Sequence, residues 1–116
     1  MIVEFEKPDP KLSPNQRNGQ HWKSTKKLKD AAKELSYYLT RAKIFEMGGI
    51  PAISTALRIT FIHPTKRNHD IDNSLASAKA HIDGFSQALK IDDGHFTTMI
   101  ITKEYQKGVS KMVFEI

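Results

Sequence analysis

The chain has 116 residues, with 18 Lys and Arg against 13 Asp and Glu for a formal net charge of +5. That length suits one domain, residues 1 to 116, with a core of its own, and the positive balance favours acidic partners. There is no cysteine, so disulfides, thiol catalysis and thiolate zinc sites are excluded.

Ile2 to Lys7 alternates apolar and charged residues and predicts a half-exposed first strand. It resembles neither a leader nor a membrane span, so a cytoplasmic setting is expected. Residues 8 to 22 hold three prolines, Asn15, Asn18 and Gly19, a loop long enough to expect function of it. From Ser24 to about Phe45 the residues Leu28, Ala31, Ala32, Leu35, Tyr38, Leu39, Ala42 and Phe45 follow helical spacing. Ser24 or Thr25 is the expected N-cap, and Gly48-Gly49 with Pro51 the stop. Ala56 to His63 predicts a second strand, with Leu57, Ile59, Phe61 and His63 on one face.

A second helix is expected from Asp72 or Asn73 to about Leu89, with the stripe Leu75, Ala78, Ile82, Phe85 and Leu89. Gly84 weakens it slightly. Phe96 to Tyr105 predicts a third strand, Lys107-Gly108 a turn, and Met112 to Ile116 a fourth strand. The order β-α-β-α-β-β predicts an α/β (α+β) domain, a small mixed sheet with two helices on one face.

Charge is polarised along the chain. Residues 11 to 43 carry nine basic residues against Asp30 and Glu34, a local net of +7. Residues 70 to 93 carry five aspartates (Asp70, Asp72, Asp83, Asp92, Asp93) against Lys79 and Lys90, a local net of −3. If Asp70 and Asp72 continue an extended strand, both point the same way and repel unless a cation lies between them. Oxygen ligands of this kind suit Mg²⁺ or Mn²⁺. A calcium EF-hand loop fails, because Ser74 and Leu75 stand where a ligand and a glycine are required.

On a continuous second helix, Lys79 and Asp83 each fall within about 20° of Asp72. Asp83 would then be about 16 Å along the axis, too far to share a metal and better placed to pair with Lys79. Strand three returning beside strand two would bring Asp92 or Asp93 to Asp70. The plainer reading stands beside this one: Asp72 or Asn73 caps the helix, and Asp92-Asp93-Gly94 is a turn.

Taken together, Asp70-Ile71-Asp72-Asn73, then Lys79 with Asp83-Gly84 after three residues, then Asp92-Asp93 resemble the RusA-type Holliday-junction resolvases. These are small phage and prophage endodeoxyribonucleases acting in recombination and repair. Ser13-Pro14-Asn15 is similar to that family's N-terminal loop. The resemblance spans about residues 8 to 100. It implies Mg²⁺-dependent (or Mn²⁺-dependent) cleavage of four-way DNA junctions by a symmetric homodimer in a bacterial cytoplasm. It also implies catalytic, metal-holding carboxylates at Asp70, Asp72 and Asp93. The family's lysine follows its Asn by three residues, where Ala76 stands here; the Lys79-to-Asp83 spacing assigns the lysine's role to Lys79. Asn73, Asp83 and Asp92 are expected to support the ligands.

Lys23, Lys26, Lys27 and Lys29 crowd the first turns of helix one, where the helix dipole and their own charge both attract phosphate. Asn15, Arg17, Lys23, Lys26, Lys27, Lys66 and Arg67 are the expected DNA contacts; the alternative for the helical lysines is a solvated face. His69 adjoins Asp70 and is placed either to touch substrate or to cap its loop. The other histidines show no zinc spacing, and Trp22 and Tyr37-Tyr38 are expected to pack rather than stack on bases. Two rival readings remain open: a non-catalytic basic DNA-binding module, and a metal-dependent nuclease on RNA or plain duplex.

Overall fold

The computed structural model describes residues 1–14, 22–92 and 94–116, with only the backbone of residues 22–24. Asn15, Arg17 and Asp93, and the side chains of Trp22 and Lys23, therefore lie outside the described residues.

Four strands, β1 (Ile2–Phe5), β2 (Ala56–His63), β3 (Thr98–Tyr105) and β4 (Lys111–Glu115), form one mixed sheet in the order β1-β4-β2-β3. β2 runs parallel to β3 and antiparallel to β4, which pairs antiparallel with β1. Alternation decides the faces. Val3, Phe5, Leu57, Ile59, Phe61, Met112 and Phe114 point into the core. The other face carries the ion pairs Arg58–Glu115 (3.6 Å) and Lys111–Glu4 (3.3 Å).

The parallel β2–β3 pair needs a crossover, and helices supply it. The expected single second helix is two: α2 (Ile71–Ser77) and α3 (Lys79–Leu89), meeting at Ala78. The buried Ser77 donates its hydroxyl to the Ser74 carbonyl at 2.7 Å, and the Ala78 amide is shared between the Ser74 and Leu75 carbonyls. Such back-bonding competes with the regular ladder and bends helices. α3 places Phe85, Ala88 and Leu89 in the core, with Ala78 at the junction, and ends at Lys90 in the left-handed region (φ 59°).

The long helix α1 (Trp22–Glu46) packs on α3. It already runs at Trp22, so Ser24 and Thr25 lie within it rather than cap it. Its stop is as expected. Gly49 N–H bonds the Ile44 carbonyl and Gly48 N–H the Phe45 carbonyl, with Gly48 at φ 81°, a Schellman ending.

Its buried face is not the expected one. Thr25, Ser36, Thr40 and Ile44 are buried, whereas Leu35, Tyr38 and Phe45 face outward at 49%, 61% and 87% exposure. The cause is close approach to α3: Gly84 sits against the Lys33 carbonyl and Ser36, and Ser36 Oγ donates to the His81 carbonyl at 2.6 Å. Small polar residues fit that contact where leucine and tyrosine do not.

Candidate functional site

Asp70 ends the loop after β2 and is the N-cap of α2, accepting the Asp72 amide on Oδ1 at 2.9 Å. The cap is thus neither Asp72 nor Asn73. Asp72 lies in the helix's first turn, so the two aspartates are not residues i and i+2 of a strand. They stay close through the cap, and both are exposed. Asn73 Nδ2 approaches Asp70 Oδ2 at 3.4 Å.

Asp70 and Asn73 line a cleft of about 410 Å³ with Lys7, Pro8, Pro10, Ser13, His63, Arg67 and His69. The N-terminal loop singled out by Ser13-Pro14 therefore borders Asp70. Asp9 shapes that loop, accepting the Lys11 amide at 2.9 Å to start a short 3-10 turn, Pro10–Leu12.

Lys79 begins α3 beyond the break, so the angular relation to Asp72 calculated for a continuous helix does not carry over. It shares two clefts with Asp83. The expected Lys79–Asp83 ion pair is not formed among the described residues. Lys29 and Lys33 of α1 line the second of these clefts. Of the lysines put forward on α1, Lys26 is paired with Asp30 at 2.8 Å, and Lys27 is exposed. Lys33, overlooked in the sequence, is the better placed beside Lys79. Lys66 lies over the Tyr105 ring at 5.2 Å, and Arg67 is exposed on the loop before Asp70.

Asp92 borders a different cleft, with Lys33, Asp83 and Gln87. Topology explains the separation. Asp70 follows the end of β2 where His63 pairs with Tyr105, whereas Asp92 precedes the end of β3 where Thr98 pairs with Ala56. Seven residue steps separate the two ends, roughly 23 Å. Among the described residues no three His, Asp or Glu side chains form a group able to hold a metal ion, and Asp93 lies outside them.

Residues that sequence spacing could not associate meet beside Asp70. Lys7 Nζ is 2.8 Å from His63 Nδ1, and the His63 and His69 rings stack with centroids 3.5 Å apart. From β3, Lys103 donates to the His69 carbonyl at 2.9 Å. Burial, then the Lys7, His69 and Lys103 charges, pushes His63 down to about 4, so its ring is neutral at pH 7.

No helix among the described residues is long and apolar enough to cross a membrane. No protein-family model matches the chain. A Xylella fastidiosa (strain Temecula1 / ATCC 700964) protein described as "Uncharacterized protein" is 30% identical over 110 residues, 94% of this chain and 71% of that protein. An identity of that extent over nearly the whole chain places it in the same family as this Xylella protein.

Proposed function

We propose that the chain is a divalent-metal-dependent, structure-selective DNA endonuclease with Asp70 and Asp72 as catalytic carboxylates. One observation carries this reading: Asp70 is the acidic member of a cleft whose other ionisable side chains are Lys7, Arg67, His63 and His69. A phosphodiester drawn in by positive charge would meet the Asp70 carboxylate there, and the resemblance to RusA-type resolvases names that residue among its catalytic carboxylates.

The donor chemistry fits a hard divalent ion. Carboxylate oxygens are what Mg²⁺ and Mn²⁺ prefer, and the Asp72 carboxylate has no partner among the described residues. Asp70 spends part of Oδ1 on its cap and keeps lone pairs to spare. The resemblance also names Asp93, but its neighbour Asp92 lines a different cleft from Asp70, so the ligands this chain sets together at the head of α2 are Asp70 and Asp72. Bound there, the metal would activate a water and stabilise charge on the scissile phosphate.

The chain's own groups do the positioning. The Asp70 cap holds the head of α2, which sets the direction of Asp72, and the Asn73 amide steadies Asp70 Oδ2. Lys79 supplies positive charge to the phosphate, with Lys29 and Lys33 extending a basic track along α1. The four-way junction and the homodimer come from the resemblance. The outward apolar residues Leu35, Tyr38 and Phe45 are a candidate surface for that dimer.

The test is cleavage of a synthetic four-way junction with and without Mg²⁺, by the wild type and by Asp70→Asn. Asparagine caps helices as well as aspartate does, so the variant should melt like the wild type, bind the junction and fail to cut. Wild-type cutting by Asp70→Asn would refute the role of this carboxylate. The capping of α2 by Asp70 favours one rival, a basic DNA-binding module whose aspartates are structural. Metal-independent binding with no cleavage by the wild type would decide for it.

A further inference from the structure

Around the C-terminal end of β2 the chain gathers positive charge that no ion pair among the described residues neutralises. Lys7 Nζ lies 2.8 Å from His63 Nδ1. An ammonium can only donate, so Nδ1 accepts, and neutral His63 carries its proton on Nε2. That Nε2–H is buried with no acceptor among the described residues, on a side chain only 5% exposed. His69 lies flat against it, the planes 6° apart, its own Nε2 also buried and unpartnered.

Lys103 reaches across from β3 to the His69 carbonyl at 2.9 Å and Asn68 Oδ1 at 3.4 Å, which leaves one ammonium proton uncommitted. Arg67 stands near enough to depress Lys7, after burial, below the ordinary lysine range. The ion pairs among the described residues use Lys26, Lys43, Arg58 and Lys111, and none uses Lys7, Arg67 or Lys103. The carboxylates bordering this region are Glu104 on one side and Asp70 on the other, both exposed.

We propose that Lys7, Arg67 and Lys103, set around the His63–His69 stack, form a subsite for a phosphate group continuous with the Asp70 cleft. Two adjoining clefts, of about 430 and 410 Å³, share His63, Arg67, Asn68 and His69, which leaves room for a phosphate and the chain that carries it. Ammonium and guanidinium groups give charge-assisted hydrogen bonds to phosphate oxygens. The stacked rings, each with a buried Nε2, form a poorly solvated floor on which those bonds are strengthened. The phosphate belongs either to a nucleic-acid backbone or to a small free phosphate. Only the first source rests on the nuclease reading, where this subsite would hold a phosphate beside the scissile one.

The experiment has two arms, both without metal, so that neither depends on cleavage. In the first, inorganic phosphate is titrated while the imidazole nitrogen resonances of His63 and His69 are followed by NMR at constant pH and ionic strength. Saturable shifts are expected in the wild type, with affinity about tenfold weaker in Lys7→Met, the loss that removal of one charged hydrogen bond brings. In the second, the affinity of a four-way junction and of a duplex is measured against salt. Lys7→Met should lower the salt slope by about one for a lost phosphate contact. Arg67→Gln, on an exposed loop, is the second variant should Lys7→Met fail to fold.

Histidine shifts together with a lower DNA slope support a backbone phosphate. Histidine shifts with an unchanged slope support the subsite and assign it to a free phosphate. Unmoved histidine resonances with unchanged slopes in both variants would overturn the proposal. Phosphate binding by a chain that never cuts a junction would refute the nuclease reading and leave this one standing.

Discussion

Gly84→Ala is expected to destabilise the fold, although alanine is the better helix former. A Cβ at this position would run into the Lys33 carbonyl oxygen and meet Ser36 Cβ and the Tyr37 amide nitrogen at 3.0 Å. Two of those three neighbours are backbone atoms, so relief requires α1 and α3 to part rather than one side chain to turn. Propensity alone favours alanine by about 1 kcal/mol, while overpacking a tight contact costs ~1–3 kcal/mol. Backbone contacts belong at the upper end, which leaves a net loss of about 2 kcal/mol, or a fall in Tm of about 8 °C for a domain near this size. Thermal and urea unfolding followed by circular dichroism would measure it. Gln87, exposed on the same helix, supplies the propensity reference through Gln87→Gly and Gln87→Ala. A Gly84→Ala protein stabilised by that same increment would refute the close-approach account. Lys29 and Lys33 on one helix and Lys79 and Asp83 on the other line a common cleft, so parting the helices should also weaken junction binding.

Acid should weaken the fold through His81, which is 4% exposed and lowered by burial to about 4. The unfolded chain takes up a proton near pH 6.5 that the folded chain refuses, so stability is full above that pH and falls as pH drops toward 4. The loss is at most about 3 kcal/mol. Urea midpoints between pH 4 and 7 should fall about half as steeply in His81→Phe, because His63, also lowered to about 4, keeps its own share; an unchanged pH slope would show that His81 is not responsible. Lys90→Gly should stabilise by about 1 kcal/mol, because Lys90 holds φ 59° and ψ 41°, where a side chain is disfavoured. A Tm no higher than wild type would contradict that.

The strands and the stop of α1 could be read locally, whereas the starts of α1 and α2 could not. β2 follows from the alternation of Leu57, Ile59, Phe61 and His63, since one residue's shift would turn the whole apolar set to water. The stop of α1 follows from Gly48-Gly49, because a left-handed ending favours glycine. Asp70, Asp72 and Asn73 stood out as a group, and the structure keeps them together at the head of one helix.

Tertiary packing decided the rest. The apolar stripe of α1 pointed to Leu35, Tyr38 and Phe45, yet the helix buries Ser36 and Thr40, because what it meets is the Gly84 face of α3 and not a broad apolar surface. Periodicity ran unbroken from Leu75 to Leu89, and the span divides in two where the Ser77 hydroxyl bonds the Ser74 carbonyl and the Ala78 amide is shared between two carbonyls. The parallel register of β2 and β3 sets Asp92 at the opposite strand end from the one Asp70 follows. Lys7, His63 and Lys103 lie 56 and 40 residues apart in the sequence, and no local pattern couples positions that only the pairing of strands makes neighbours.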